Sequence, residues 1–317
     1  MARCFVTRRL PGSGLARLGE RHGVEVWPER LPPPAAALRE RAADVEGLLT
    51  MLADPIDADL IASAPHLRAI SNYAVGTDNV DVDAATARGI PVGNTPDVLT
   101  DATADLALAL LLAVARNVVA GDALVRRAEW LTWETDLLLG ADVHGATVGI
   151  VGFGRIGRTV ARRLEGFDCT ILHNSRSGGV ALGELLERSD FVTLHSPLTP
   201  DTRGLIGAAE LARMKPSAYL INTARGPIVD TAALGHALRQ GAIAGAALDV
   251  TDPEPLPGDH PLLDAPNLIV LPHLGSATRA TRETMTDIAV DNLLAGLAGD
   301  RMRHCVNPEV YERPIRL

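Results

Sequence analysis

Three glycines at fixed spacing carry the first chemical signal. Val148-Gly149-Ile150-Val151-Gly152-Phe153-Gly154-Arg155-Ile156-Gly157 runs from an apolar strand through a GxGxxG turn into a helical pattern. Gly152 allows the tight turn, Gly154 lets a pyrophosphate approach the backbone, and Gly157 lets the helix pack on the strand. The free N–H groups of the helix start, with Phe153, Arg155 and Ile156 between the glycines, then form a dinucleotide site. About 20 residues after such a fingerprint an acid ordinarily meets the ribose 2′-hydroxyl. Here the next strand ends His173-Asn174-Ser175-Arg176-Ser177, with Asn174 in the acid's place. Arg176, between the Ser175 and Ser177 hydroxyls, offers a planar fork to a 2′-phosphate. This favours NADP(H), with NAD(H) as the second option; the plain alternative is a solvated arginine.

Three more polar residues stand at the ends of apolar runs: Arg225 after Leu220-Ile221-Asn222-Thr223-Ala224, Glu254 in Asp252-Pro253-Glu254-Pro255, and His273 after Leu271-Pro272. Open α/β sheets bind ligands at the carboxyl ends of their strands. Converging there, these side chains supply a carboxylate clamp, a carboxylate partner and a proton donor. Taken singly, they also read as a surface charge, a turn residue and a buried imidazole. His195, in Leu194-His195-Ser196-Pro197, ends another strand and reads as lining the cofactor site.

The elements that must position these residues alternate along the chain. Strands are expected near Cys4–Val6, Val24–Trp27, Gly47–Leu52, Leu67–Asn72 and Pro91–Gly93, with helical segments such as 35–43 and 57–64 between them. A second series is expected near Thr147–Val151, Cys169–His173, Phe191–His195, Ala218–Asn222, Ala246–Val250 and Leu268–Leu271. This alternation predicts an α/β protein with parallel sheets. From Asp101 to about Arg127 the pattern predicts one long helix, N-capped by Thr100 or Asp101. Its apolar residues crowd so densely from Leu106 to Val114 that more than one face must be buried, between domains or against a second subunit. A last helix is expected over 279–297.

Length and charge narrow the classes. The 317 residues suggest two domains, at roughly 150 residues each. Thirty basic against thirty-nine acidic residues, net −9, argue against a surface made for nucleic acid or anionic lipid. Lys215 is the sole lysine, in an ordinary Met214-Lys215-Pro216 turn, so Schiff-base chemistry is set aside. Cys4, Cys169 and Cys305 show no CxxC spacing, which predicts neither a disulfide framework nor a bound metal. The apolar run 106–115 is too short for a bilayer. Arg8-Arg9 and Pro11-Gly12 occupy the place of a signal peptide's apolar stretch. The expected location is the cytoplasm.

Taken together, Val148–Gly157, Ile221-Asn222-Thr223-Ala224-Arg225-Gly226, Ala247-Leu248-Asp249-Val250 through Glu254-Pro255, and Pro272-His273-Leu274-Gly275-Ser276-Ala277-Thr278 resemble the D-isomer-specific 2-hydroxyacid dehydrogenase family. Asn72-Tyr73-Ala74-Val75-Gly76-Thr77-Asp78-Asn79-Val80-Asp81 resembles its substrate loop, and residues 94–105 resemble the start of its interdomain helix. Within the family, residues 72–76, Ser175-Arg176 and Cys305-Val306-Asn307-Pro308-Glu309 look most like NADPH-dependent glyoxylate/hydroxypyruvate reductases, including those that reduce 2-ketogluconate.

The resemblance implies two Rossmann-like doubly wound domains with an active-site cleft between them. One is a discontinuous, flavodoxin-like substrate domain, 1–98 plus 286–317; the other is a dinucleotide domain, 99–285. The two connections between them act as a hinge, and the protein is a homodimer through the region 101–116. In the reductive direction Arg225 holds the keto acid, with the N–H groups of Val75 and Gly76 completing the carboxylate grip. His273 as imidazolium gives the proton, and Glu254 bonds its other ring nitrogen. The cofactor contacts implied include Thr103, Pro197, Thr202, Thr223, Ala224, Asp249 and Gly275, besides Arg225 and His273. Val75 stands where phosphite dehydrogenases carry a lysine, Glu254 where formate dehydrogenases carry a glutamine, and Leu137 where some glyoxylate reductases place a partner tryptophan. The alternatives are a dinucleotide-sensing, corepressor-like binding protein of the same fold, or a dehydrogenase of D-lactate, D-3-phosphoglycerate or phosphite.

Overall fold

The two series of β-rich runs form two separate sheets in the computed structural model, which describes residues 1–312. Residues 313–317, the end of the expected 286–317 segment, lie outside the described residues. The chain divides into two units, Met1–Leu99 with Ala277–Leu317, and Thr100–Ser276.

In the first unit the chain runs β1 (Arg3–Val6), α1 (Gly14–Arg21), β2 (Gly23–Val26), α2 (Ala35–Ala43), β3 (Gly47–Met51), α3 (Ala58–Ser63), β4 (Ala69–Tyr73), α4 (Val82–Ala87) and β5 (Val92–Gly93). All five strands are parallel in the order β2-β1-β3-β4-β5, the flavodoxin-like order. Parallel strands are covered on both faces, which is why β3 and β4 read as apolar runs and not as alternating ones. Phe5, Leu48 and Ile70 pack under Leu38, Leu60, Ile61 and Ala85 of α2–α4. On the other face Cys4, Val6 and Leu49 pack with Leu18 of α1 and with Ala289, Val290 and Leu293 from near the C-terminus. Those last residues belong to one 20-residue helix, Arg279–Ala298. The second segment of this unit therefore begins at Ala277, ahead of the whole helix, where the resemblance implies 286. A hydrogen-bonded helix stays with the sheet it packs on.

The second unit contains α5 (Thr100–Ala115), α6 (Val118–Arg126), β6 (Thr147–Val151), α7 (Arg155–Leu164), β7 (Thr170–Ser175), β8 (Gly178–Gly179), α8 (Leu182–Arg188), β9 (Phe191–Leu194), α9 (Ala208–Leu211), β10 (Tyr219–Asn222), α10 (Thr231–Arg239), β11 (Gly245–Leu248) and β12 (Leu268–Val270); the C-terminal helix of the first unit is α11. The strand order is β12-β11-β10-β9-β6-β7-β8. Only β8 is antiparallel. Successive connections leave β6 in opposite directions, so the topological switch lies between β6 and β9, as in a doubly wound dinucleotide fold.

Two expectations need correction. The long helix is broken: α5 and α6 meet at 63°, because Asn117 takes φ 52, a left-handed conformation that ends a right-handed helix. Thr100 and Asp101 both lie inside the first turn of α5 and do not cap it. Local apolarity carries no sign of the break, since both helices are rich in Ala, Leu and Val. They differ in burial, however. Ala104, Ala107, Leu110, Leu111 and Val114 of α5 are buried, whereas α6 buries nothing within the chain. No single helix among the described residues is long and apolar enough to cross a membrane.

Candidate active site

The turn after β6 sits at the switch point and is assembled by contact with the end of β9. His195 N–H donates to the Val151 carbonyl (2.7 Å). Gly152 has φ +92, and a Cβ there would lie 2.4 Å from the Ser196 nitrogen. A Cβ at Gly157 would lie 2.2 Å from the Gly152 carbonyl oxygen. The fold itself therefore demands both glycines. Gly154 is different: a Cβ there would meet nothing within 4 Å. Gly154 is also the N-cap of α7 and offers no side-chain hydrogen bond to it, the arrangement by which a helix start receives an anion. Open space above Gly154 and an uncapped ten-residue helix fit a pyrophosphate. Phe153 packs against His173 with ring centroids 4.1 Å apart. Arg155, Ile156 and Gly157 form the first turn of α7.

The candidate 2′-phosphate residues form a hairpin. β7 pairs with β8 through Asn174↔Gly179 and Ser175↔Gly178, which leaves Arg176 and Ser177 as its two-residue turn. The Asn174 side chain donates to the Val180 carbonyl (2.8 Å) and Ser175 Oγ lies 3.0 Å from Ser177 Oγ. The turn is thus held by its own polar groups, without an acid, and presents Arg176 exposed and unpartnered among the described residues. A Gly-Gly pair carries little strand signal, so β8 was not legible in the sequence.

Arg225, Glu254 and His273 all lie in the second unit, beyond the ends of β10, β11 and β12. Asn222, 1% exposed, fixes the first loop: its side chain accepts from Ala224 N–H (3.0 Å) and donates to the Arg225 carbonyl (2.9 Å). Gly226 brings the next loop close, since a Cβ there would lie 1.9 Å from the Thr251 carbonyl oxygen. From that loop Glu254 Oε1 meets His273 Nδ1 at 2.6 Å, while Oε2 accepts from Thr251 N–H (3.3 Å). Nε2 of His273 makes no hydrogen bond among the described residues.

The His273 backbone is left-handed, φ 56, an uncommon state for a residue with a side chain. Asp249 holds it there. The Asp249 carbonyl accepts His273 N–H (2.9 Å), and its carboxylate accepts Leu274 N–H (2.6 Å) and Gly275 N–H (2.8 Å). Burial pushes the Asp249 carboxyl up, with the Leu274 N–H bond and the nearby His273 acting against that push. Sequence reasoning placed Asp249 among the cofactor contacts; its own hydrogen bonds go to the 273–275 turn. Thr103 Oγ1 braces the same turn by donating to the Gly275 carbonyl (3.2 Å).

His195 lies 2.9 Å from Thr193 Oγ1 and 3.5 Å from Thr223 Oγ1. Burial lowers its imidazole from 6.5 to about 4. The ring is therefore neutral at neutral pH. Thr202 Oγ1 donates to the Pro197 carbonyl (2.7 Å), so these two shape one turn after β9.

Val75 and Gly76 belong to the first unit, just beyond β4. Three consecutive carbonyls there are engaged: Ala74 by Thr95 N–H (2.8 Å), Val75 by Asn94 Nδ2 (2.8 Å) and Gly76 by Asn72 Nδ2 (2.9 Å). Asn72 opens the 72–81 loop motif and Asn94 the 94–105 motif, and neither residue type marks a site by itself. An amide side chain at a strand end has no sequence signature that separates a clamp from a turn former.

Residues 108–275 match the NAD binding domain of the D-isomer specific 2-hydroxyacid dehydrogenase family. The chain is 47% identical to a glyoxylate reductase of Korarchaeum cryptofilum, covering 98% of this chain and 97% of that one. A solved Thermus thermophilus protein matches with TM-score 0.92 and 50% identity over 96% of this chain and 99% of that chain. An NADPH-dependent glyoxylate/hydroxypyruvate reductase of Sinorhizobium meliloti, solved with NADP and malonate, matches with TM-score 0.88 and 35% identity over 98% of each chain. This chain belongs to the D-isomer specific 2-hydroxyacid dehydrogenase family.

Proposed function

We propose that this protein reduces small 2-keto acids to D-2-hydroxy acids, with glyoxylate and hydroxypyruvate as the primary candidates and 2-ketogluconate as a third. The observation that carries the reading is the 2.6 Å His273–Glu254 pair, held at the strand ends of a unit that also contains Arg225 and the dinucleotide turn. The glyoxylate reductases among the relatives support the substrate class. Bound NADPH would supply the hydride for the carbonyl carbon. Arg225 holds the substrate carboxylate and polarises the keto oxygen, and the N–H groups of Val75 and Gly76 complete the carboxylate grip. His273, protonated on both ring nitrogens, gives its Nε2 proton to the oxygen. Glu254 accepts from Nδ1–H, which orients the ring and directs Nε2 to the substrate. Asp249, Asn222 and Thr103 act on these groups through the loops.

Following NADPH absorbance with glyoxylate, hydroxypyruvate, 2-ketogluconate and pyruvate tests the proposal directly. Turnover of the first two is expected, and binding of NADPH without turnover of any of the four would replace the enzyme by a dinucleotide-sensing binding protein.

The preference for NADPH over NADH rests on the acid-free 174–177 turn and Arg176. Arg176→Ala should weaken NADPH alone, by about 10- to 150-fold in kcat/KM, the worth of one charged hydrogen-bond partner. A wild-type protein that prefers NADH would contradict this assignment.

We further propose a homodimer. The resemblance implies the region 101–116 as its face, but Ala104, Ala107, Leu110, Leu111 and Val114 there are buried within the chain, so we assign the contact to α6 and the following loop. Val118, Val119, Trp130, Leu131 and Trp133 are exposed there, Leu131 at 88% and Trp133 at 77%. Large apolar side chains exposed in this number call for cover. Light scattering should give twice the 33.4 kDa chain mass, and Leu131→Glu with Trp133→Glu should give the single mass. A monomeric wild type would remove the proposal. The widely separated cysteines fit a cytoplasmic setting.

A further inference from the structure

We infer that Asn72 and Asn94 are positioning residues that turn three consecutive backbone N–H groups, those of Val75, Gly76 and Thr77, outward as one anion-binding row. The inference rests on the proposed role of this loop in gripping the substrate carboxylate, and extends it to Thr77 and to the residues that fix its geometry. In a trans peptide the carbonyl of one residue and the N–H of the next point in opposite directions, and the peptides of this loop are trans. The carbonyls of Ala74, Val75 and Gly76 are drawn to Thr95 N–H, Asn94 Nδ2 and Asn72 Nδ2. The N–H groups of Val75, Gly76 and Thr77 must therefore face away from those donors. None of the three has a partner among the described residues.

The clamps are themselves held. Asn72 is fully buried, and its Nδ2 also reaches Asn79 Oδ1 (3.0 Å). Asn79 Nδ2 in turn donates to the carbonyls of Met51 (2.9 Å) and Asp54 (3.0 Å). The Asp54 carboxylate, 1% exposed, fixes that segment by accepting from Met51 N–H (2.8 Å) and the Thr7 hydroxyl (2.5 Å). Asn94 is tied down through its own carbonyl, which accepts from Asn292 Nδ2 of α11 (2.9 Å). A buried polar network with this many satisfied members sets one geometry. Only a side-chain amide does the work at 72 and 94. A carboxylate has no donor for the carbonyl, and its charge would oppose an anion.

N–H groups that bind the carboxylate equally in the ground and transition states change KM and leave kcat nearly alone. Asn94→Ala and Asn72→Ser should each raise KM for glyoxylate and Ki for oxamate, a carboxylate isostere of a 2-keto acid, about tenfold. kcat should stay within about threefold, and the Kd for NADPH should not change. Loss of folded protein alone would lower the active fraction and leave KM and Ki where they were. Gly76→Pro, which deletes one N–H of the row, separates the two levels of the proposal. If it raises KM and Ki while both asparagine variants leave them unchanged, the clamp role is wrong and the grip stands. If all three variants leave KM and Ki unchanged, the loop does not grip the carboxylate at all.

Discussion

His273→Ala lowers the rate of keto-acid reduction by about 10² to 10⁴, the usual worth of a general acid, and leaves NADPH binding nearly unchanged. The second half of this expectation concerns its partner. Glu254 Oε1 sits 2.6 Å from His273 Nδ1, and a carboxylate there accepts the Nδ1–H and sets the tautomer and orientation of the ring. Glu254→Gln keeps the shape of the side chain and removes the charge. Without the carboxylate the ring loses the charged hydrogen bond that fixes its tautomer and orientation. In Glu254→Gln kcat for reduction should therefore fall by about 10- to 150-fold, the worth of one charged hydrogen bond, while NADPH binding holds. A kcat in Glu254→Gln equal to that of wild type would separate the two residues functionally. A rate in His273→Ala within a few-fold of wild type would remove the histidine from the proton-transfer step.

The other large effect is expected at Arg225. Its planar fork can engage the substrate carboxylate and keto oxygen together, whereas a lysine offers a point charge on a flexible stem. Arg225→Lys should keep some affinity through Coulomb attraction and lose alignment. The keto oxygen gains negative charge as the hydride arrives, so the lost contact is stronger in the transition state than in the ground state. Both kcat and kcat/KM should then fall, by about 10- to 150-fold for one charged hydrogen bond. Steady-state kinetics with direct NADPH titration decide the matter. A rise in KM at constant kcat would mean that Arg225 anchors substrate without stabilising the reaction. The asparagine clamps work differently. Those act through N–H groups on a carboxylate whose charge does not change, so they move KM, whereas Arg225 sits on the atom whose charge does change.

Much of this protein was already determined at the level of the chain. Alternating strands and helices require parallel sheets, and β6 begins and ends where its apolar run does. The GxGxxG turn is legible in the same way: Gly157 is demanded by the Gly152 carbonyl five residues before it, although Gly152 itself is demanded by the backbone of His195 and Ser196 at the end of β9. Arg225 and His273 stand out because each follows an apolar strand within three residues, and Glu254 because it sits between two prolines six residues beyond one, all patterns of sequence neighbours. Other features depend on residues far apart in the chain, and only the tertiary structure decided them. Asn117 breaks the long apolar helix by a left-handed turn that no periodicity announces, and its side chain bonds the carbonyls of Leu138 and Leu139, each at 3.1 Å. The whole of α11 belongs to the first unit because Ala289, Val290 and Leu293 find their cover under β1 and β3. Asp249 is in sequence a residue beyond a strand; in space its carboxylate holds a turn 25 residues away. The direction of the Val75, Gly76 and Thr77 N–H groups follows from hydrogen bonds that Asn72, Asn94 and Thr95 make to the opposite sides of those peptides. A sequence shows which groups are available, but where a backbone N–H points depends on what binds the carbonyl behind it.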